Sequence, residues 1–406
     1  MKRNAILHLA DLHLGAPVFS GLRNAFPDIA ERLQTARDRL LGRLADWILD
    51  PDCPVGLLLL AGDLFDHHAP RPELEDQAIQ DLSRIIAAGV KVVTVPGNHD
   101  ELAYPNSVYR RRSWPGVLVQ NREPRPILEL EAGSLFTQKL VIVSASFHRG
   151  LNQPGEVLDP PEVPADAMGI LLLHATVADD GFLPEFLAEA ESVFRTFLRT
   201  NAARGYSYTA LGHIHRRSTW TVNRMLACYP GPPLGTSPSE LGSGSFVLLR
   251  QTNAGRFTSG QAGLMVESIT PPGLLPCRWL PLEENVTPGD RPAEIVERIK
   301  ARLPSDNDYI GALTLTGTVK SRTFAEDCQA LFIQAGLPII VAETRTRQLP
   351  PLDLDLLAKE TSLVGEWIRL WQQWQEQEQP DPAFAEQVLW EALACFGQPD
   401  KSEEPS

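Results

Sequence analysis

The segment Gly56-Leu57-Leu58-Leu59-Leu60-Ala61-Gly62-Asp63-Leu64-Phe65-Asp66 joins an unbroken apolar run to a glycine and two carboxylates. A short apolar run that stops at Gly62 predicts a strand buried on both faces, as in a parallel sheet covered by helices. It is far too short to cross a membrane, which takes ~18–20 apolar residues, and no longer run exists in the chain. Asp63 stands where that strand ends. In α/β sheets, ligands gather outside the carboxyl ends of the strands.

Outward from this segment the same grammar repeats. Strand-like residues 6–9 lead to Asp11-Leu12-His13, residues 91–95 to Gly97-Asn98-His99-Asp100, residues 170–173 to His174, and residues 208–211 to Gly212-His213-Ile214-His215. Residues 140–144 form a further strand-like run. In an extended chain residues i and i+2 point the same way, so Asp11 with His13, and His213 with His215, can converge on one site. Gly62, Gly97 and Gly212 permit the tight exits that such convergence needs. Between the first two strands, residues 28–50 carry a helical apolar stripe, and Asp28 with Glu31 predicts an N-cap and its reciprocal partner. Strands alternating with helices predict a layered α/β core.

The donor types define the chemistry. Two divalent ions bring +4, Asp11 and Asp63 return −2, and neutral His13, His174, His213, His215 and Asn98 add nothing. The site therefore stays near +2, suited to a hydroxide and a phosphodiester oxygen. Asp63, central among the motifs, is the natural bridging carboxylate. Mixed His/Asp/Asn ligation without thiolate suits Mn²⁺, Fe²⁺ or Zn²⁺ better than Ca²⁺ or Mg²⁺. His8 and His148 read as core or loop histidines, and His67 and His68 as a solvated loop.

Composition excludes other classes. The chain has 406 residues with 43% hydrophobic and 22% charged, an ordinary globular balance for two or three domains. Five scattered cysteines without a C-x-x-C exclude a disulfide framework or zinc ribbon and predict a reducing cytoplasm. His8 and Asp11 interrupt the apolar stretch after Lys2 and Arg3, so no secretory signal is expected. The net charge is −14, but residues 351–406 hold twelve acids against three bases, so the other 350 residues carry only −5. Acidity is thus no argument against a nucleic-acid substrate, and no domain reads as a generic basic DNA binder.

The ordered set D-x-H, G-D, G-N-H-D, H and G-H-x-H resembles the calcineurin-like metallophosphoesterase superfamily over residues 1–250. Residues 10–15 and 60–66 are similar to its DNA-repair exonuclease branch, the SbcD-type nucleases, and within it to the YhaO-like group. The resemblance implies a layered α/β metallophosphoesterase sandwich. It also implies one metal on Asp11, His13, Asp63 and His215, and a second on Asp63, Asn98, His174 and His213. His99 would stabilise the transition state or protonate the leaving oxygen, with Asp100 orienting it. Mn²⁺, cleavage of DNA phosphodiesters, an SbcC-type coiled-coil ATPase partner and a homodimer are further implications. Two departures stand out: Asp66 replaces the second histidine of eukaryotic relatives, and Gly231-Pro232-Pro233 replaces a G-S-P turn.

The expected layout is a metallophosphoesterase domain over residues 1–268, a small α/β cap over 275–346, a helical partner-docking segment over 351–396 and an acidic flexible tail over 397–406. A Pro/Gly segment at residues 270–274 would mark the first boundary. Arg110, Arg111, Arg112 and Arg216-Arg217 follow two of the motifs closely and are expected to contact the substrate's phosphate backbone. Val364, Trp367, Trp371 and Trp374 share one helical face, which is either ordinary core or a docking face. The expected function is a Mn²⁺-dependent DNA exonuclease subunit. The alternatives are a small-molecule phosphodiesterase or nucleotidase, and a mainly architectural DNA-bridging subunit.

Overall fold

The computed structural model describes residues 3–147, 158–178, 192–240, 244–251, 263–271, 274–304, 309–348 and 354–396. His148, the tail 397–406 and part of the 270–274 segment lie outside them. The chain forms two compact units, residues 1–276 and 277–406.

The leucine-rich run forms the strand Val55–Ala61, whose side chains divide by parity, as a period of two requires. Leu58 and Leu60 join a core with helix residues Leu40, Leu44, Ile48, Leu82 and Ile85. Leu57, Leu59 and Ala61 face the opposite way, into a core shared with Ile142, Ile170, Leu172 and Tyr208 of a second sheet. That is why the whole run is apolar. The first sheet has the order Leu264–Ile269, Phe246–Gln251, Ala5–Leu9, Val55–Ala61, Lys91–Val95, Val117–Leu118. Its last four strands are parallel to one another and the first two antiparallel. The second sheet runs Ser218–Val222, Met225–Tyr229, Tyr206–Gly212, Ala167–His174, Lys139–Ser144, Arg125–Leu130, with only its two edge strands antiparallel. Helix Arg195–Ala203 contributes Phe197 and Leu198 to the core on its outer face. The expected layered α/β sandwich is what the chain forms, with two sheets packed face to face between helices.

One helix expectation is corrected. Residues 28–50 form two helices, Pro27–Asp38 and Leu40–Leu49, separated at Arg39. Asp28 is not the N-cap: Pro27 occupies the first helical position, the cap is Phe26, and no side chain caps the turn.

The second unit holds a parallel three-stranded sheet, Arg278–Val286, Tyr309–Val319 and Ile339–Gln348, with helices Pro292–Lys300 and Phe324–Gln334 in the two crossovers. Helices Leu363–Glu378 and Pro382–Phe396 follow. Trp371 Nε1 donates to the Ala385 carbonyl at 2.8 Å, Trp367 meets Phe396 and Trp374 meets Phe384. The tryptophan face is therefore the seam between these helices, while Leu363 and Leu370 remain 73% and 59% exposed.

Candidate metal centre

Register explains how distant motifs meet. His174 pairs with Gly212 across parallel strands, so His174 and His213-Ile214-His215 leave the second sheet side by side. Asp11 N donates to the Gly62 carbonyl at 3.1 Å and His13 N to the Asp63 carbonyl at 3.0 Å, which ties together the exits of two strands of the first sheet. Among the described residues, Asp11, His13, Asp63 and His213 are four of six non-glycine residues with positive φ. Each such residue costs about 1–3 kcal/mol and persists only where its surroundings fix it, which is typical of functional sites. Gly62 and Gly97 explain the crowding. A Cβ on Gly62 would lie 2.1 Å from His174 Nδ1, and one on Gly97 would lie 2.2 Å from Asp63 Oδ1.

Among the described residues three groups of donor atoms result, each with its atoms within 4.8 Å of one another: Asp11, His13, Asp63 and His215; Asp63, His174 and His213; and, more exposed, His13, Asp66 and His99. Asp63 belongs to the first two. Asn98 Oδ1 lies 2.9 Å from His174 Nε2 and 2.9 Å from His213 Nδ1, which places the amide beside the second group. Asp11, His13, Asp63 and His174 are at most 1% exposed.

The donor set fits cations. His13 Nδ1 lies 3.2 Å from Asp66 Oδ1, and His215 Nδ1 lies 3.1 Å from Glu240 Oε1. A carboxylate only accepts, so each Nδ1 donates outward and each Nε2 is turned to the centre. The two Nε2 atoms face each other at 3.1 Å, a spacing that requires positive charge between them, a shared proton or a metal cation. At His174, Nδ1 donates to the Ala61 carbonyl at 2.9 Å and Nε2 faces Asp63 Oδ2 at 3.4 Å, which favours positive charge there too. Asp11 Oδ2 is buried with no hydrogen-bond partner. The electrostatics of the buried groups carry the same demand. Burial alone would lower His174, yet Asp63 and Asp11 push it up to about 10. Burial would raise Asp63, but His174 and His13 hold it well below the usual carboxylate range. Burial, reinforced by His174, pushes His213 down to about 3, leaving it a neutral donor.

His99 stands apart. Its side chain is 41% exposed, its backbone N–H donates to Asp63 Oδ1 at 2.9 Å, and its Nδ1 sits 3.0 Å from the Asp66 carbonyl. Its ring packs edge-on against His13 at 4.7 Å. Asp100 does not hold that ring. Its fully buried carboxylate accepts from Gly97 N (2.7 Å), Phe65 N (3.1 Å) and Tyr109 OH (2.7 Å), and burial raises it to about 6. It anchors the loop, and the orienting contact comes from Asp66 instead.

The arginines divide. Arg111 and Arg112 both pair with the buried Glu75, and Arg112 also pairs with Asp76, while Arg110 Nε donates to the Leu102 carbonyl. Those ion pairs bind the loop to the helix Pro72–Ala87. Arg216 and Arg217 are exposed. Sequence reasoning missed Glu240 and the part played by Asp66. Neither has a motif of its own, since each acts only through contact with a histidine far away in the chain. His68, read as a solvated loop residue, stacks on Tyr104 with centroids 3.9 Å apart.

A fold of two stacked sheets that aims two histidine–aspartate groups sharing one carboxylate is that of the metallophosphoesterases, and the calcineurin-like phosphoesterase family matches residues 5–217. The chain belongs to that family, whose members are hydrolases acting on phosphoester bonds. It is similar to the uncharacterized metallophosphoesterase YhaO of Bacillus subtilis, 25% identical over 61% of this chain and 57% of that protein. It is also similar to the DNA double-strand break repair protein Mre11 of Archaeoglobus fulgidus, 25% identical over 55% of this chain and 48% of that protein. One component of the SbcCD nuclease of Bacillus subtilis is 26% identical over 64% of this chain and 69% of that protein. The chain thus spans about half the length of the first relatives it matches.

Proposed function

We propose that the chain is a Mn²⁺-dependent DNA nuclease, the exonuclease subunit of a DNA repair or end-processing complex. It would act as a homodimer in the cytoplasm with an SbcC-type coiled-coil ATPase. The observation that carries the reading is that Asp63 is shared by two buried ligand groups while His99, beside them, is exposed. A phosphodiester within a polymer can approach such a reacting centre from solvent. Similarity to proteins named for DNA break repair and for the SbcCD nuclease supports DNA over a small ester.

Asp11, His13, Asp63 and His215 would hold one ion, and Asp63, Asn98, His174 and His213 the other. The ions would lower the pKa of water and stabilise charge on the transferring phosphoryl group. The chain's own part is positional and acid–base. With Nδ1 engaged by the Asp66 carbonyl, His99 keeps Nε2 for the substrate, where an imidazolium delivers its proton to the leaving oxygen. Asp100 keeps the loop carrying Asn98 and His99 in register.

The test is incubation with Mn²⁺ and end-labelled linear DNA beside a small chromogenic phosphodiester. DNA degradation that His99→Ala abolishes is expected, and the product ladder gives the polarity. Cleavage of the small ester alone would move the assignment to a nucleotidase. A protein that binds no stoichiometric metal would favour an architectural role.

A further inference from the structure

The loop of residues 231–240 is not needed for any ligand, yet it ends in a carboxylate on a ligand histidine. Glu240, in the short helical turn Pro238–Glu240, directs Oε1 to His215 Nδ1 at 3.1 Å. Its Oε2 accepts from Thr236 N at 2.7 Å, Thr236 Oγ1 at 2.8 Å and Ser237 N at 3.3 Å, so both oxygens are committed and the carboxylate cannot swing. Gly235 permits the fold of this loop, since a Cβ there would lie 2.9 Å from Glu240 backbone atoms.

A second tie reaches the loop from the other side. Arg37, in the helix Pro27–Asp38, is only 3% exposed. One guanidinium nitrogen donates to the Gly235 carbonyl at 2.7 Å and another to the Ala16 carbonyl at 2.8 Å. Ala16 N in turn donates to the His13 carbonyl at 2.9 Å. One buried cation thus braces the loop that aims His215 and the loop that carries His13, whose Nε2 atoms face each other.

We infer that Glu240 is a positioning residue for the metal centre, fixing the tautomer and direction of His215, and that Arg37 holds Glu240's loop against the His13 loop. This rests on the two-ion reading of the site. A carboxylate behind a ligand histidine raises its basicity and fixes its ring, and loss of such a partner typically weakens metal binding about 10–100-fold. Neither residue touches substrate, so neither is catalytic.

The test is calorimetric titration of metal-stripped full-length protein with Mn²⁺, with thermal unfolding of the metal-free form as a fold control. Wild type is expected to bind two ions. Glu240→Gln keeps the acceptor oxygen and removes the charge, and should weaken one of the two ions about tenfold. Glu240→Ala should weaken the same ion towards 100-fold, and the other ion should bind as before. Arg37→Met should weaken that ion too, because the carbonyls of residues 16 and 235 lose their common donor. Two ions of unchanged affinity in both Glu240 variants would overturn the inference while leaving the two-ion reading standing. Equal weakening of both ions would also overturn it, since that would mark a general loss of fold. Absence of Mn²⁺ binding by wild type would overturn the reading beneath it.

Discussion

Asp63 and His99 lie within 2.9 Å of each other, yet they should fail differently when replaced. Asp63→Asn removes the one carboxylate common to both ligand groups and should lower Mn²⁺ binding from two ions to at most one, read by metal analysis of the desalted protein. His99→Ala should leave metal content unchanged and slow cleavage by about 10²–10⁴-fold, the usual contribution of a proton donor. Gly97→Ala should act like a ligand mutation although glycine ligates nothing, because its Cβ would collide with Asp63 Oδ1. A thermal shift measurement with and without Mn²⁺ should show a loss of metal-induced stabilisation. Six of the seven expected metal ligands sit within two residues of a glycine or strand end, and His215 follows His213 at i+2, so all fall in short patterns that sequence displays directly. Glu240, Arg37 and Asp66 are not, because their partners are set by long-range packing. Asp100 is visible but misleading: adjacency to His99 suggests contact, whereas its carboxylate turns into the fold.

At the scale of elements, the first strand carries a polar residue on its inward face. His8 is fully buried between the sheets, with Nδ1 2.9 Å from the Tyr208 hydroxyl, and burial lowers it to about 3. The unfolded chain binds a proton there near pH 6.5 and the folded chain does not. The stability this gives is therefore complete above about pH 6.5 and is lost as pH falls toward 3, at up to about 1.4 kcal/mol per pH unit. Unfolding midpoints of wild type and His8→Gln measured from pH 7 to pH 4 should converge as pH falls. Parallel curves would refute the assignment. Central strands are readable because burial on both faces leaves an unbroken apolar run. Edge strands such as Arg125–Leu130 and Ser218–Val222 escape such a reading, since half their residues face away from the cores and neighbouring loops share their composition. The break at Arg39 is equally hidden, because the apolar stripe continues through both helices.

For the whole molecule, the division at residues 276 and 277 separates the family fold from a unit outside the matched residues 5–217. Trp367, Trp371 and Trp374 pack against the helix Pro382–Phe396, so a partner would meet exposed residues such as Leu363 and Leu370 instead. Deleting residues 351–406 should leave Mn²⁺-dependent phosphodiester cleavage intact and abolish co-purification with an SbcC-type ATPase. A truncated chain that still co-purifies would place the docking surface elsewhere. Among the described residues no helix is long and apolar enough to cross a membrane. The central claim is that Asp63 joins two ions into one centre, and anomalous diffraction from crystals soaked in Mn²⁺ tests it most directly. Two peaks about 3.5–4 Å apart, with Asp63 between them, are predicted. A single peak, or two that do not share Asp63, would contradict it.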